Sequence, residues 1–126
     1  MVSVPNGVQE ARKVITMEKM IKQVSRVISE EYHRSSATFG ATNASDHESY
    51  AITLEELQEA LENSHLCSMD LEEFWRLTKD KKGSDEDKLS SLDSLWTNAM
   101  LAACEYIQVA AMAYKAERTI RERSDE

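Results

Sequence analysis

The spacing of hydrophobic residues along this 126-residue chain predicts helices rather than strands. Between residues 9 and 32, large hydrophobic side chains recur at steps of three and four, which is the spacing of one face of an α-helix. Seven residues form this stripe: Val14, Met17, Met20, Ile21, Val24, Val27 and Ile28. Charged residues fill the opposite side, so we expect the first helix to pack by a single face.

A polar segment follows the first predicted helix. Residues 33–45 lose the helical period and collect Ser, Thr, Asn and a Gly, which is typical of a loop. Phe39 is the only large hydrophobic residue in this segment, and we expect it to anchor the loop to the core. Ser45 or Asp46 can then accept hydrogen bonds from the free amides at the start of a second helix.

The pattern also predicts a break between a second and a third helix. We expect the second helix to end at about Asn63 and residues 64–67 to form a short connection. His65 lies in this connection, where a lone histidine is more often solvated than a metal ligand or a base. Asp70 and Glu73 have the spacing of a capping box, which favours a new helix start there.

The last predicted helix is the longest. Gly83 ends the third helix, and the acidic residues 85–87 then stand at the N-terminus of the fourth, where the helix dipole favours negative charge. Its hydrophobic stripe continues from Leu89 to Tyr114 and includes many alanines, whose small side chains let a neighbouring helix approach closely. The predicted fold class is therefore all-α, with four main helices in a bundle completed by dimerisation into a homodimer or homotetramer.

Length and composition limit the organisation and the setting of the chain. We expect one domain at residues 9–117, with residues 1–8 as a flexible lead-in and residues 118–126 as a charged tail that frays. The first fifteen residues lack the hydrophobic core of a signal peptide, and no stretch is apolar for the roughly 18 residues of a membrane span. Cys67 and Cys104 lack the C-x-x-C spacing, which favours reduced thiols and a cytoplasmic protein.

The charge balance limits the class of partner. Acidic residues outnumber basic residues by 23 to 15, so the formal charge is −8. Such a chain repels the nucleic-acid backbone and anionic membranes, and we expect neither as a partner. A phosphate-bearing ligand would need cations to mediate its contact with this protein.

The candidate chemistry begins with acidic residues of the second predicted helix. Glu55, Glu56 and Glu59 lie within about one helical turn, so Glu59 converges on one face with the other two. The same pattern describes an ordinary solvated helix face. The spacing of these three residues alone leaves both interpretations open.

Glu105 in the Ala-rich helix favours a metal site. It stands in an apolar run, and a buried carboxylate is costly unless it is paired or bound to a metal. Gln108 lies three residues further on the same face and adds an amide oxygen. If the two helices pack together, the oxygen ligands of a Mg²⁺ or Mn²⁺ site become available: Glu55, Glu56, Glu59, Glu105 and Gln108. The alternative is that Glu105 faces a cleft or a subunit contact and bonds to Lys115, Arg12 or a tyrosine hydroxyl.

The two acidic motifs, in this order, resemble those of a known family. Glu55-Glu56-x-x-Glu59, followed by Glu105-x-x-Gln108 on a later Ala-rich helix, is similar to the E-E-x-x-E and E-x-x-D pair of the MazG-like all-α nucleoside triphosphate pyrophosphohydrolases. Residues 31–40, 47–59 and 105–113 resemble the segments that phage and bacterial MazG-like proteins carry around these motifs. The resemblance covers residues 26–116 and implies a bacterial or phage-infected host cytosol.

The resemblance also implies an activity and a cofactor. The activity is hydrolysis between the α- and β-phosphates of a (deoxy)nucleoside triphosphate, which releases nucleoside monophosphate and pyrophosphate. Mg²⁺, or Mn²⁺, held by the acidic residues would offset the charge of the triphosphate. Glu56, Glu59 and Glu105 are the main ligand candidates. Glu55 and Glu56 are the candidate catalytic residues, with Glu55 either a ligand or a general base.

Three further residues are candidates for binding the substrate. Lys115 and Arg118 follow Glu105 on the same predicted helix and would meet phosphate oxygens. The alternative for both is a cation that stabilises the end of a helix. Trp96, together with the loop residue Phe39, would flank the nucleotide base, with a place in the hydrophobic core as the alternative for Trp96.

The chain departs from the family at two points. Gln108 stands where the family usually has Asp, so the site loses one negative charge and is expected to hold Mg²⁺ less tightly. The motifs are also separated by residues 60–104, which is longer than in compact members of the family. A weak or inactive helical module that binds a nucleotide or a protein partner is therefore the alternative function.

Overall fold

The computed structural model describes residues 16–81 and 83–124, and these residues form three α-helices without a strand. The helices are α1 (Met17–Phe39), α2 (Asp46–Lys79) and α3 (Asp85–Ser124). The predicted all-α class is confirmed. The predicted lead-in and the first residues of the first predicted helix lie outside the described ranges. None of the described helices combines the length and the hydrophobicity needed to cross a membrane.

Helix α1 continues beyond the end that the sequence predicts. The predicted loop at residues 33–45 is wrong over its first half, because the helix runs to Phe39 and ends at Gly40, which has a φ of 91°. Tyr32 and Ser35 are buried, and this tertiary packing outweighs the modest helix propensity of the segment. Phe39 is 75% exposed and does not anchor the loop. The Tyr32 hydroxyl does so instead, by donating to the carbonyl of Ala41 at 2.9 Å.

Helix α2 begins where predicted but has no break. The Ser45 hydroxyl accepts from the Glu48 amide at 3.1 Å, as expected of an N-cap. The predicted connection at residues 64–67 is wrong, since these residues are helical and contain neither Gly nor Pro. Asp70 caps no new helix. Its carboxylate accepts from Ser94 at 2.9 Å and from Asn98 at 2.8 Å, both on α3, so the described chain has three helices rather than four.

Helix α3 starts as the charge pattern predicts and extends further. The Ser84 hydroxyl accepts from the Asp87 amide at 3.1 Å. Just before it, Gly83 passes so close to α2 that an added Cβ would lie 2.3 Å from the carbonyl oxygen of Leu77. The first residues of the charged tail, from Arg118 to Ser124, are helical and continue α3. Ion pairs at i,i+4 spacing support this last part of the helix.

The core of the described chain is small. α2 packs along α3, α1 packs against α3, and buried Tyr32, Ala111 and Met112 meet where the helices come together, with Ile28 and Ile52 packed beside them. Apart from Phe39, five large hydrophobic residues of α1 remain at least 40% exposed: Met17, Met20, Ile21, Val24 and Val27. Cys67 and Cys104 are free thiols, as predicted.

Candidate functional site

Three of the predicted ligand residues converge between α2 and α3. Carboxylate oxygens of Glu56, Glu59 and Glu105 all lie within 4.8 Å of one another. The helices can approach closely here because the neighbouring Ala60 is fully buried and Ala102 is 7% exposed. Three convergent carboxylates offer the hard oxygen donors that Mg²⁺ and Mn²⁺ prefer.

The electrostatics of this cluster favour a cation. Burial raises the pKa of Glu56, and the negative charges of Glu59, Glu105, Glu55 and Glu31 raise it further, in that order. Every charge that acts on the Glu56 pKa is therefore negative. A bound cation would relieve this repulsion.

A cavity of about 520 Å³ lies beside the cluster and is lined by residues of all three helices. Its apolar part is formed by Phe39, Ile52 and Met112. The polar and charged residues of its wall are the following: Arg34, Ser35, Glu48, Glu55, Glu56, Gln108 and Lys115. The cavity therefore joins one edge of the acidic cluster to two cations and an apolar surface.

Lys115 is the predicted substrate-binding residue that lies in this cavity. Gln108, Met112 and Lys115 follow one face of α3 at steps of four and three, which is why all three reach the cavity wall. Lys115 is only 4% exposed, and its ammonium group has no ion pair or hydrogen bond with any residue in the described ranges. A positive charge in the cavity wall without a carboxylate partner among the described residues makes this part of the wall suitable for an anion.

The structure places two other predicted substrate-binding residues elsewhere. Trp96 is 59% exposed and donates from Nε1 to Asp93 at 3.0 Å. It lies nine residues before Glu105, or about 13 Å along the helix axis, and belongs neither to the core nor to the cavity wall. Arg118 pairs with Glu122 at 3.0 Å and is also absent from that wall.

Two residues of α1 join the site without having been predicted. The negative charge of Glu31 raises the pKa of Glu56, and Arg34 lines the cavity. The sequence carries a signal for them: Ile28, Glu31 and Ser35 follow one helical face, but only if α1 continues past Tyr32. Because residues 33–45 were predicted to be a loop, this face was not recognised.

The alternative environment predicted for Glu105 finds no support in the described chain. Glu105 forms no ion pair with Lys115 there, and it is partly buried within the acidic cluster. Arg12, another proposed partner, lies outside the described residues. His65 is exposed on α2, in keeping with a solvated histidine.

Comparison of this chain with known protein families, with curated proteins and with solved structures gave no match. The resemblance to MazG-like proteins therefore depends on the two motifs and on the segments around them.

Proposed function

We propose that this chain is a metal-dependent pyrophosphohydrolase of (deoxy)nucleoside triphosphates. The observation that carries the proposal is the convergence of Glu56, Glu59 and Glu105 beside a cavity whose wall contains the buried, unpartnered Lys115. An acidic cluster accounts for a cation alone. An acidic cluster next to an unpaired lysine in the cavity wall accounts for a cation and an anion together, as in a metal-bound phosphate chain.

The residues fit a Mg²⁺ or Mn²⁺ ion, because the donors are carboxylate oxygens. When bound, such an ion would neutralise phosphate charge and polarise the phosphoryl group. Lys115 binds phosphate oxygens, and Arg34 contributes a second positive charge to the same cavity. Glu55, which is exposed at the cavity wall, accepts a proton from the attacking water as the general base.

The rest of the cavity suits the nucleoside. Phe39, Ile52 and Met112 provide apolar surface on three different helices, against which a base can stack or pack. The cavity volume of about 520 Å³ is within the range of small-molecule sites. Of the two residues that the sequence assigned to the base, Phe39 lines the cavity and Trp96 does not.

A nucleotide-binding module without hydrolysis is the second candidate function, and Gln108 favours it. Gln108 lines the cavity, but it is neutral where the related family usually has an aspartate. One negative charge fewer lowers the affinity for Mg²⁺. The protein would then bind a nucleotide through the same cavity and release it unchanged.

We also propose that the chain assembles with a second copy through α1. The five exposed hydrophobic residues of α1, defined above, form a stripe on a helix that packs mainly against α3. An apolar stripe is complementary to itself, so two copies can bury it about a two-fold axis and complete a bundle. This assembly is expected to act on nucleotides in the cytosol.

The test of the function is turnover of a panel of nucleoside triphosphates with Mg²⁺ or Mn²⁺, followed by detection of pyrophosphate and monophosphate. We expect release of both products, and a loss of at least about a hundredfold in kcat/KM for Glu59→Gln and for Glu105→Gln. Glu72→Gln is the matched control, because Glu72 is an exposed glutamate of α2 outside the cluster. It should retain the rate of the original protein.

Two results would contradict the pyrophosphohydrolase. If no triphosphate is hydrolysed but calorimetry detects its binding, the binding module replaces the enzyme. If Glu59→Gln and Glu105→Gln both keep the rate of Glu72→Gln, the proposed site is wrong. Circular dichroism of each variant should show unchanged helicity, since all three positions are helical and Gln has nearly the helix propensity of Glu.

A further inference from the structure

Helix α3 carries an exposed hydrophobic seam between residues 89 and 106. Its positions alternate steps of three and four, which is the spacing of a coiled-coil contact. The seam is about 26 Å long, at 1.5 Å per helical residue. Six residues form it, and all of them are exposed: Leu89, Leu92, Trp96, Ala99, Ala103 and Tyr106. We call this surface the α3 seam.

Helix α2 packs on a different side of α3. Ser94 and Asn98 of α3 donate to the Asp70 carboxylate of α2, and Ala102 is buried. Glu105 belongs to the acidic cluster on the same side. The α3 seam therefore points away from α2, and a partner that covers the seam leaves the acidic cluster open.

The chain exposes a large surface for its mass. Its accessible surface is 9798 Å², whereas a compact monomer of 14.3 kDa exposes about 6,800 Å². The excess is roughly 3,000 Å². One third of this excess is already more than the roughly 800 Å² that each partner buries in a standard protein interface. The exposed area is therefore sufficient for a stable dimer.

The low charge of the α3 seam favours a second copy of the same chain as the partner. From Leu89 to Tyr114, Asp93 and Glu105 are the only charged residues. A surface with so little charge neither selects a charged partner nor repels a copy of itself. Trp96 donates its N–H to Asp93 at 3.0 Å, so its exposed ring needs only an apolar partner.

The order of large and small side chains along the α3 seam indicates how two copies fit together. Leu92 and Trp96 come first, and Ala99 and Ala103 follow. We propose that α3 of a second copy packs antiparallel on this seam, about a two-fold axis at residues 97–98. Leu92 then lies opposite Ala103 of the other copy, and Trp96 opposite Ala99. A parallel pair would set large against large and leave a gap between the alanines, which close packing disfavours.

This inference rests on the proposed assembly with a second copy, and it names the helix at the axis of that assembly. Ile28 of α1 packs beside Ala111 and Met112, just beyond the end of the α3 seam. The exposed stripe of α1 ends at Val27, next to this contact. The α1 stripe therefore flanks the α3 seam, and both belong to one dimer interface.

The first test compares two leucines of α3 in the full chain. Leu92 is 37% exposed and lies in the seam, whereas Leu101 is 44% exposed and lies outside it. We expect Leu92→Glu to raise the dimer dissociation constant by at least about a hundredfold, because each dimer would then bury two ionised carboxylates. Leu101→Glu is the matched control and should sediment as the original protein does. Circular dichroism checks that both variants keep their helicity.

The second test measures the direction of packing by disulfide formation. Leu92→Cys and Ala103→Cys are made separately in a Cys67→Ser/Cys104→Ser background, then mixed and treated with a mild oxidant. The antiparallel pair predicts a cross-linked dimer in the mixture but none in either variant alone. Two copies of residue 92 would lie about 16 Å apart along the axis, too far for a disulfide.

The outcomes separate this inference from the proposed assembly through α1. If Ile21→Glu dissociates the dimer but Leu92→Glu behaves like Leu101→Glu, the α3 seam is excluded and the α1 contact stands. If each cysteine variant cross-links alone, the helices pack in parallel and the proposed fit is overturned. If the original protein is a monomer at every concentration, a second copy covers neither surface and both proposals fail.

Discussion

The carboxylates gathered between α2 and α3 repel the ionised form of Glu56. Its pKa in the folded chain is raised above the ordinary 4.5 by burial and by the surrounding negative charges. A group with a raised folded pKa contributes its full stability below the unfolded pKa, and this contribution is lost as the pH rises through the folded pKa. Without metal, the ionised Glu56 therefore destabilises the fold at neutral pH.

The residue-scale prediction is that Glu56→Gln raises the melting temperature at pH 7 in the presence of a chelator. Removing one of several repelling charges should stabilise the fold by roughly 0.5 kcal/mol, the scale of a like-charge pair on a helix face. The advantage over the original protein should shrink as the pH falls towards 4.5. Melting curves followed by circular dichroism between pH 4 and pH 8 measure this difference.

The same variant should respond differently to metal. Mg²⁺ or Mn²⁺ should raise the melting temperature of the original protein and of the control Glu72→Gln, because a ligand that binds only the folded state stabilises it. Glu56→Gln should lose most of this increase. A lower melting temperature of Glu56→Gln than of the original protein at pH 7 without metal would show that the carboxylates do not repel one another as described.

Helix existence was predictable from the sequence, but helix ends were not. The hydrophobic stripes, the cap at Ser45 and the acidic residues 85–87 were enough to place the starts of α2 and α3. The capping-box spacing of Asp70 and Glu73 was misleading, because the Asp70 carboxylate bonds to side chains on α3. Only the packing of α2 on α3 reveals that use, and no local pattern encodes it.

Because α2 is continuous through residues 64–67, we predict that substitutions in this segment follow helix propensity. His65 is an exposed helical residue, so His65→Gly should be about 1 kcal/mol less stable than His65→Ala, the helix-propensity difference between Gly and Ala. Urea unfolding of the two variants measures this difference. Hydrogen exchange should also show protected amides across residues 64–67. Equal stability together with fast exchange would support the break that the sequence pattern predicted.

At the scale of the whole molecule, the site was only partly predictable. The two motifs predicted that Glu56, Glu59 and Glu105 lie close together, and their carboxylates do so, because both motifs occupy the packed faces of two long helices. Glu31 and Arg34 were missed because their place depends on how far α1 extends and on which helix it packs against. Contributions from a third helix are a property of the tertiary fold, which short motifs do not contain.

The exposed stripe of α1 gives the last prediction, which concerns assembly. Burying the stripe between two copies removes apolar side chains from water, so an ionised residue placed within it should oppose association. Ile21 is 60% exposed, and Ile21→Glu should therefore shift a dimer towards monomers without lowering helicity. Lys19→Gln makes the same change in net charge at an exposed position of α1 outside the stripe and should leave the dimer intact. Sedimentation velocity over a range of concentrations measures the mass. An original protein that sediments as a monomer throughout would refute the assembly, whereas a dimer that tolerates Ile21→Glu would place its interface on another surface.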